Sequence, residues 1–142
     1  MRLTGTKELT PDSLLNTPDH KLISTGISKA KVNYLKGLVL AVKSGELSFR
    51  RLAQLSDKQV VAELTRFRGI GPWTAEIYLI FALHRPGIFP VHDAGIRVAM
   101  CQIYKIPKAD FLRLAPAIAD RWRPYRSIAS QYLWAFRDAK PM

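Results

Sequence analysis

The chain has 142 residues, enough for one folded domain with its own core, and 48% of them are hydrophobic, which argues against disorder. Its 22 Lys and Arg against 11 Asp and Glu favour a polyanionic partner, nucleic acid first and an anionic membrane surface second. We expect neither a membrane span, since no apolar run approaches roughly 18 residues, nor a signal peptide.

The apolar pattern of the first half predicts helices. Two short ones, at 11–16 and 18–24, each follow a Thr-Pro pair, and a short turn of helix is expected at 48–55. A longer helix at 28–43 precedes Gly45, a stop signal. Its apolar stripe consists of Val32, Leu35, Val39 and Val42.

The second half continues the helical pattern. Further helices are predicted at 56–69, 72–83, 93–104, 108–119 and 124–136. A loop at 85–91 with two prolines and a glycine precedes Asp93. We find no repeat and no convincing alternating strand, so the sequence predicts a single all-α domain over residues 1–142.

Side chains suited to metal binding are few. The single cysteine, Cys101, excludes an internal disulfide, a zinc finger and a four-cysteine iron–sulfur cluster. We expect Cys101 to be a small apolar side chain on a helix. The histidines show no helical ligand spacing; they are His20, His84 and His92.

A glycine hairpin at 67–72 joins two of the predicted helices through a very short turn. Gly69 and Gly71 allow positive φ and a close approach of the backbone to a ligand. Amides at the start of the following helix lack partners and lie at the positive end of its dipole. Such a turn can bind phosphate without reading base sequence. The alternative is an ordinary corner between two helices.

Five segments together resemble one family, the helix-hairpin-helix DNA glycosylases. Residues 64–75 are similar to its hairpin, and Phe-Pro-Val-His-Asp-Ala-Gly-Ile-Arg at 89–97 is similar to its loop with an essential aspartate. The match extends to 26–31, 121–127 and 132–134. The set most resembles the 3-methyladenine DNA glycosylase II branch, which removes alkylated bases in base-excision repair.

The resemblance implies a set of DNA contacts at the hairpin and no required cofactor. The main-chain amides that would hold a phosphate are those of Gly69, Gly71 and Thr74. Two cationic side chains would also contact double-stranded DNA, Arg68 and Arg97. Na⁺ or K⁺ would bind main-chain carbonyls and add positive charge beside the phosphate. These carbonyls belong to Thr65, Phe67 and Ile70.

The resemblance also implies that Asp93 is catalytic. By position alone Asp93 is equally an ordinary N-cap, yet a cap also fixes the orientation of the carboxylate. Cleavage of an N-glycosidic bond builds positive charge on the sugar. A fixed carboxylate can stabilise that charge and can position or deprotonate water.

Trp73 occupies the position at which lysine-bearing hairpins of the family form a Schiff base with the sugar. Without that amine we expect a monofunctional glycosylase that leaves an abasic site. The family places Trp73 and Trp134 in the pocket for the flipped base, where an indole face can stack on a cationic purine. Both have an alternative as core aromatics, and Trp122 is expected to be structural. Ile77 falls where some relatives carry a pocket tyrosine, so base preference is expected to shift.

Relatives in this family carry more sequence upstream, so we expect an incomplete version of the domain that lacks N-terminal helices and the duplex-wedging residue. Exposed apolar surface would then favour self-association. The main alternative function is a non-catalytic DNA-binding module or an inactive truncated glycosylase. A basic amphipathic protein at a membrane surface is a third. The expected location is intracellular, in the cytoplasm or nucleoid if the protein is bacterial.

Overall fold

A computed structural model of the protein describes residues 8–139, and within them it contains helices and no β-strand. The all-α prediction is therefore confirmed. The α-helices, in chain order, are α1 Pro11–Asn16, α2 Asp19–Ile23, α3 Lys29–Ser44, α4 Phe49–Leu52, α5 Asp57–Leu64, α6 Pro72–Phe81, α7 Ala94–Ile103, α8 Phe111–Asp120 and α9 Arg126–Asp138. A 3₁₀ turn at Lys108–Asp110 precedes α8. None of the described helices is long and apolar enough to cross a membrane.

Short polar side chains determine where several helices begin. The side chain of the residue before the helix accepts a hydrogen bond from an amide of the first turn, which would otherwise lack a partner. The capping residues are Thr10, Ser28, Ser48, Ser56 and Asp93. Gly45 ends α3 with φ 80°, a left-handed conformation that glycine adopts without strain.

Several predicted helix bounds differ from the structure: α4 ends at Leu52 instead of Leu55, and α9 runs from Arg126 to Asp138 instead of 124–136. The helix expected at 56–69 ends at Leu64, and the chain then forms two consecutive turns that lead to Gly69, whose φ of 93° is incompatible with a helix. In these turns the Phe67 amide donates to the Leu64 carbonyl, and the Ile70 amide donates to the Phe67 carbonyl. The helix expected at 108–119 begins instead as the 3₁₀ turn and becomes α8 at Phe111.

The chain divides into two compact units, Met1–Ile70 and Gly71–Met142. In the described part of the first unit, α3 packs on α1 and α2. Its core includes Leu22, Val32, Leu47, Leu52 and Val60. The prediction of one domain over the whole chain stays a prediction.

Gly69 lies against α3 inside the first unit. Its φ is 93°, and a Cβ at this position would stand 2.5 Å from the Tyr34 ring. Both the backbone conformation and the close approach of the ring therefore require glycine. Tyr34 thus holds the first part of the hairpin against α3.

In the second unit α7 packs against α8 and α9. The buried side chains where these three helices meet are Ile96, Ala99, Met100, Phe111, Ala115 and Leu133. Half-buried side chains line this core, among them Cys101 on α7 and Trp122, whose ring meets Phe89 edge-on. These contacts agree with the apolar and structural roles expected of Cys101 and Trp122. Because α7 is fixed on this core, its first residues have a defined position.

Ser127, at the start of α9, fastens the loop that leads to Asp93. The buried Ser127 hydroxyl donates to the Arg85 carbonyl and accepts from the Ile88 amide at 2.9 Å. The Ser127 amide donates to the Pro86 carbonyl at 2.7 Å. Nearby, the Arg126 guanidinium donates to the Gly87 carbonyl at 2.8 Å. The loop therefore has a fixed path although it has no regular structure.

We predict that Ser127→Ala lowers the free energy of unfolding by about 1–3 kcal/mol, because the buried Ile88 amide loses its partner. Urea denaturation of the full chain measures this. Ser24→Ala is the matched control: the Ser24 hydroxyl donates to a carbonyl at an exposed helix end, and its loss should cost less than about 0.5 kcal/mol. Equal losses in the two variants would contradict the role given to Ser127.

Candidate active site

Asp93 is the N-cap of α7, and its carboxylate accepts hydrogen bonds from three directions. Oδ1 accepts from the Ile96 amide at 2.8 Å and from Trp134 Nε1 at 2.9 Å. Oδ2 accepts from Trp73 Nε1 at 2.7 Å. The side chain of Asp93 is buried, and these donors come from α7, α9 and α6 respectively. Three helices thus fix one carboxylate.

The donors determine the ionisation state of Asp93. Burial alone would raise the pKa of this carboxyl, but hydrogen bonds from Trp134, the Ile96 amide, Trp73 and the Gly95 amide outweigh it, and the pKa of Asp93 is lowered. All of these donors are uncharged. The carboxylate therefore stays ionised at neutral pH and keeps its full negative charge, since no cation forms an ion pair with it among the described residues.

Apolar and aromatic side chains of α6 and α9 lie beside Asp93; we call Trp73, Ile77, Phe81 and Trp134 the aromatic wall. Trp73, Ile77 and Phe81 follow one another at intervals of four residues on α6, so they lie on one face of the helix. Phe81 stacks on Trp134 with ring centroids 5.8 Å apart. Trp73 and Phe81 are about half exposed, at 47% and 53%, so ring surface remains open to a ligand. Phe81 was missed in the sequence, although its spacing from Trp73 could have revealed it.

Glu76 is a second carboxyl near this site that the sequence did not reveal. It lies half-buried on α6, one turn after Trp73. Burial raises the pKa of Glu76, the Asp93 charge raises it further, and His92 partly opposes this rise. The two neighbouring carboxyls therefore have pKa values shifted in opposite directions.

The second half of the hairpin begins α6 without any side-chain cap. Gly71 is the N-cap in an extended conformation, with φ −95°, so the expectation of positive φ is correct for Gly69 and wrong for Gly71. A Cβ on Gly71 would meet no atom within 4 Å, so the space beside it is open. The exposed Thr74 lies in the first turn of α6. This helix start therefore presents amides to solvent.

The other predicted DNA and cation contacts are distributed over both units. Arg97 is exposed on α7, in the second unit. Arg68 is exposed in the first unit, with its guanidinium 5.8 Å from the centre of the Tyr34 ring. Thr65, Phe67 and Ile70 are half-buried there, and the Phe67 carbonyl already accepts from the Ile70 amide. Each carbonyl has two lone pairs, so this bond leaves the Phe67 oxygen able to bind a cation.

Residues 8–139 contain no cluster of three or more His, Cys, Asp or Glu side chains that could hold a metal ion. Of the predicted site residues, the structure joins Asp93, Trp73 and Trp134 by direct hydrogen bonds and places Ile77 on the same face of α6 as Trp73. The chemistry available is that of one fixed anion among aromatic surfaces.

Comparison with known proteins finds DNA-3-methyladenine glycosylases among the similar proteins. The chain is 30% identical to DNA-3-methyladenine glycosylase 1 of Schizosaccharomyces pombe over 88% of its own length and 55% of that protein. The crystal structure of a DNA-3-methyladenine glycosidase from Bacillus halodurans superimposes with a TM-score of 0.80 at 30% identity, over 97% of this chain and 64% of that one.

A second similar structure was solved with DNA. It is the 3-methyladenine DNA glycosylase of Schizosaccharomyces pombe in complex with abasic DNA, with a TM-score of 0.78 and 29% identity over 88% of this chain and 61% of that one. The chain spans about half the length of the curated relatives that it matches. No protein-family model matches the chain.

We predict that Glu76→Gln stabilises the protein more at pH 7 than at pH 4. The folded-state pKa of Glu76 lies above its unfolded value, so between the two values the native protein holds a proton that the unfolded chain has released. The free energy of unfolding therefore falls as pH rises through that range and stays lower above it. Glutamine cannot ionise and avoids this loss.

The measurement is the melting temperature of both proteins at pH 4 and pH 7. Glu46→Gln is the control, because Glu46 is exposed and pairs with Arg66 at 3.8 Å. Replacing its carboxylate by the glutamine side chain should not raise the melting temperature at pH 7. A Glu76→Gln difference that is the same at both pH values would show that the buried charge has no cost.

Proposed function

This chain is a homologue of the DNA-3-methyladenine glycosylases, and from that relationship we propose that it hydrolyses the N-glycosidic bond of alkylated purines such as 3-methyladenine in double-stranded DNA. The reaction is a step of base-excision repair and leaves an abasic site. One relative, that of Schizosaccharomyces pombe, was solved in complex with abasic DNA. The observation that carries the proposal is the Asp93 carboxylate held by two indole N–H groups.

Asp93 acts by electrostatic stabilisation of the transition state. As the glycosidic bond breaks, positive charge develops on the sugar, and a carboxylate that is already fixed needs no reorganisation to face it. Because the donors to Asp93 are neutral, its negative charge remains available for the sugar. Trp73 holds Oδ2, and Trp134 with the Ile96 amide holds Oδ1, so both oxygens are fixed in orientation.

The lowered pKa of Asp93 favours one of its two conceivable roles. A carboxylate with a low pKa is a weak base, and its power to remove a proton from water is correspondingly small. It can still orient a water molecule as a hydrogen-bond acceptor. We therefore assign Asp93 mainly to charge stabilisation and to positioning of the attacking water.

The aromatic wall selects the base. Alkylation makes a purine cationic and weakens its glycosidic bond, and an indole face attracts a cation by roughly 0.5–2 kcal/mol. Trp73 can offer ring surface while its Nε1 remains bonded to Asp93. Ile77 sits beside it and adds apolar surface to the pocket. Damaged bases also flip out of the duplex more readily, which adds selectivity.

The hairpin would hold the DNA backbone. The amides of Gly69, Gly71 and Thr74 would bind a phosphate, with Arg68 and Arg97 as further cationic contacts. Carbonyls of Thr65, Phe67 and Ile70 are hard oxygen donors of the type that Na⁺ or K⁺ accepts, and such an ion would add positive charge at the same phosphate. These contacts need no base recognition.

We predict that Asp93→Asn abolishes base release, with a loss of at least about 100-fold in the single-turnover rate. Release of 3-methyladenine from methylated duplex DNA, followed by chromatography, measures it. The control is Asp110→Asn, which removes an exposed carboxylate paired with Arg113 at 2.9 Å. An unchanged rate in Asp93→Asn would remove Asp93 from the mechanism.

We further predict that borohydride does not trap the protein on DNA. Trp73 takes the place of the lysine that would form the imine, so no covalent intermediate should arise. Gel electrophoresis of the protein with methylated or abasic duplex DNA, with and without borohydride, tests this. A borohydride-dependent cross-link would show lyase chemistry by another amine.

A non-catalytic DNA-binding module is the second candidate function. The chain's partial coverage of its relatives favours it, for example 55% of DNA-3-methyladenine glycosylase 1 of Schizosaccharomyces pombe. Such a module would bind duplex DNA and release no base, so the same assay separates the two functions. Self-association and an intracellular location stay predictions.

A further inference from the structure

Two side chains of the candidate active site, Asp93 and Trp134, meet a third, Arg137, over the Cα atom of Gly95 in the first turn of α7. A Cβ built on Gly95 would stand 2.6 Å from Arg137 Nη1, 3.1 Å from Asp93 Oδ1 and 3.2 Å from Trp134 Cδ1. Gly95 is buried inside a helix, so its backbone conformation does not demand glycine. A methyl group here would instead displace the end of the flexible Arg137 side chain and press on Asp93 Oδ1 and Trp134.

Arg137 is the member of this group without an assigned role. It follows Trp134 by three residues on α9, and this spacing places both side chains on one face of the helix. The Arg137 side chain is 54% exposed, and its ion-pair partner is its neighbour Asp138, at 3.7 Å. It forms no ion pair with Asp93 within residues 8–139. A long, exposed pair of this kind is weak, so the guanidinium can take another ligand.

The charge of Arg137 restricts what that ligand can be. A guanidinium beside the pocket repels a cationic alkylated base, so the base itself is an unfavourable ligand. A phosphodiester is anionic and matches the planar fork of donors on arginine. In a flipped nucleotide, phosphates flank the sugar that Asp93 would face, so they pass close to the rim of the pocket.

We propose that Arg137 binds a DNA phosphate at the rim of the active site and that Gly95 provides the space for its guanidinium. The proposal rests on the proposed function, since it takes DNA with an extruded nucleotide as the ligand. The contact pulls the backbone towards Asp93, whereas the hairpin amides hold another phosphate. Arg137 is therefore a positioning residue and leaves the chemical step to Asp93.

The test is binding of the full chain to duplex DNA that contains a stable abasic-site analogue, measured over a range of salt concentrations. Arg137→Gln should weaken binding about tenfold and make the slope of log K against log salt less steep by about 0.9, the value for one phosphate contact. Arg137→Lys should keep the slope. Arg113→Gln, the matched control, removes an exposed arginine paired with Asp110 and should leave binding and slope unchanged.

Gly95→Ala is the second variant. The added methyl displaces the guanidinium, so a folded Gly95→Ala protein should show the same shallower slope as Arg137→Gln. The single-turnover rate at saturating methylated DNA should fall less than threefold in Arg137→Gln. A salt slope in Arg137→Gln equal to that of the wild type would overturn the proposal, whatever Gly95→Ala does.

The experiments distinguish a wrong proposed function from a wrong role for Arg137. If the wild type binds the abasic analogue and releases no base, the proposed function is wrong, and the salt slopes still decide the role of Arg137. If the wild type releases base and Arg137→Gln matches Arg113→Gln in binding and slope, only the role of Arg137 is wrong. A wild type that binds no DNA would overturn both.

Discussion

The hydrogen bonds from two tryptophans to the Asp93 carboxylate are the interactions on which the rest of the second unit depends. Trp73 comes from α6 and Trp134 from α9, and both indole N–H groups reach the same carboxylate at the start of α7. This geometry exists only if three helices meet at one point. The hydrophobic core under α7 fixes the position of this helix, and the Ser127 hydrogen bonds fix the loop that precedes it.

The choice of donors has a chemical consequence. An arginine or lysine in a direct ion pair would also keep a buried carboxylate ionised, but in the proposed reaction its charge would weaken the field at the developing cation on the sugar. Indole and amide N–H groups stabilise the anion without cancelling it. Trp73 also retains exposed ring surface, which under the proposed function would face the base.

Local chemistry explains how much could be predicted from the sequence. Helix starts follow from the capping side chains, and the stripe on α3 follows from its apolar spacing. The place of Asp93 directly before the apolar pattern of α7 likewise predicts that it is the N-cap. The early end of α5 could not be predicted from periodicity, because Val60, Val61, Leu64 and Phe67 continue the helical spacing into the turns at 65–70.

The remaining site residues depend on contacts between distant parts of the chain. Trp134 and Asp93 are 41 residues apart, and nothing in either local sequence predicts their hydrogen bond. The family resemblance implies that both tryptophans are pocket residues, but it did not predict that they donate to the acid. The sequence did not point to Arg137, because it lies near Asp93 only through the folding of α9 against α7 at Gly95, and no local pattern predicts that contact.

The titration of the Asp93 carboxyl tests the central claim most directly. Carbon-detected NMR of the labelled protein, folded throughout the pH range used, reports the midpoint for this side chain. We expect the pKa of Asp93 to lie below that of an ordinary aspartate, and to rise in Trp73→Phe, which removes one hydrogen-bond donor. A midpoint at or above the ordinary value, unchanged by Trp73→Phe, would contradict the claim that the indole N–H groups hold Asp93 as an anion.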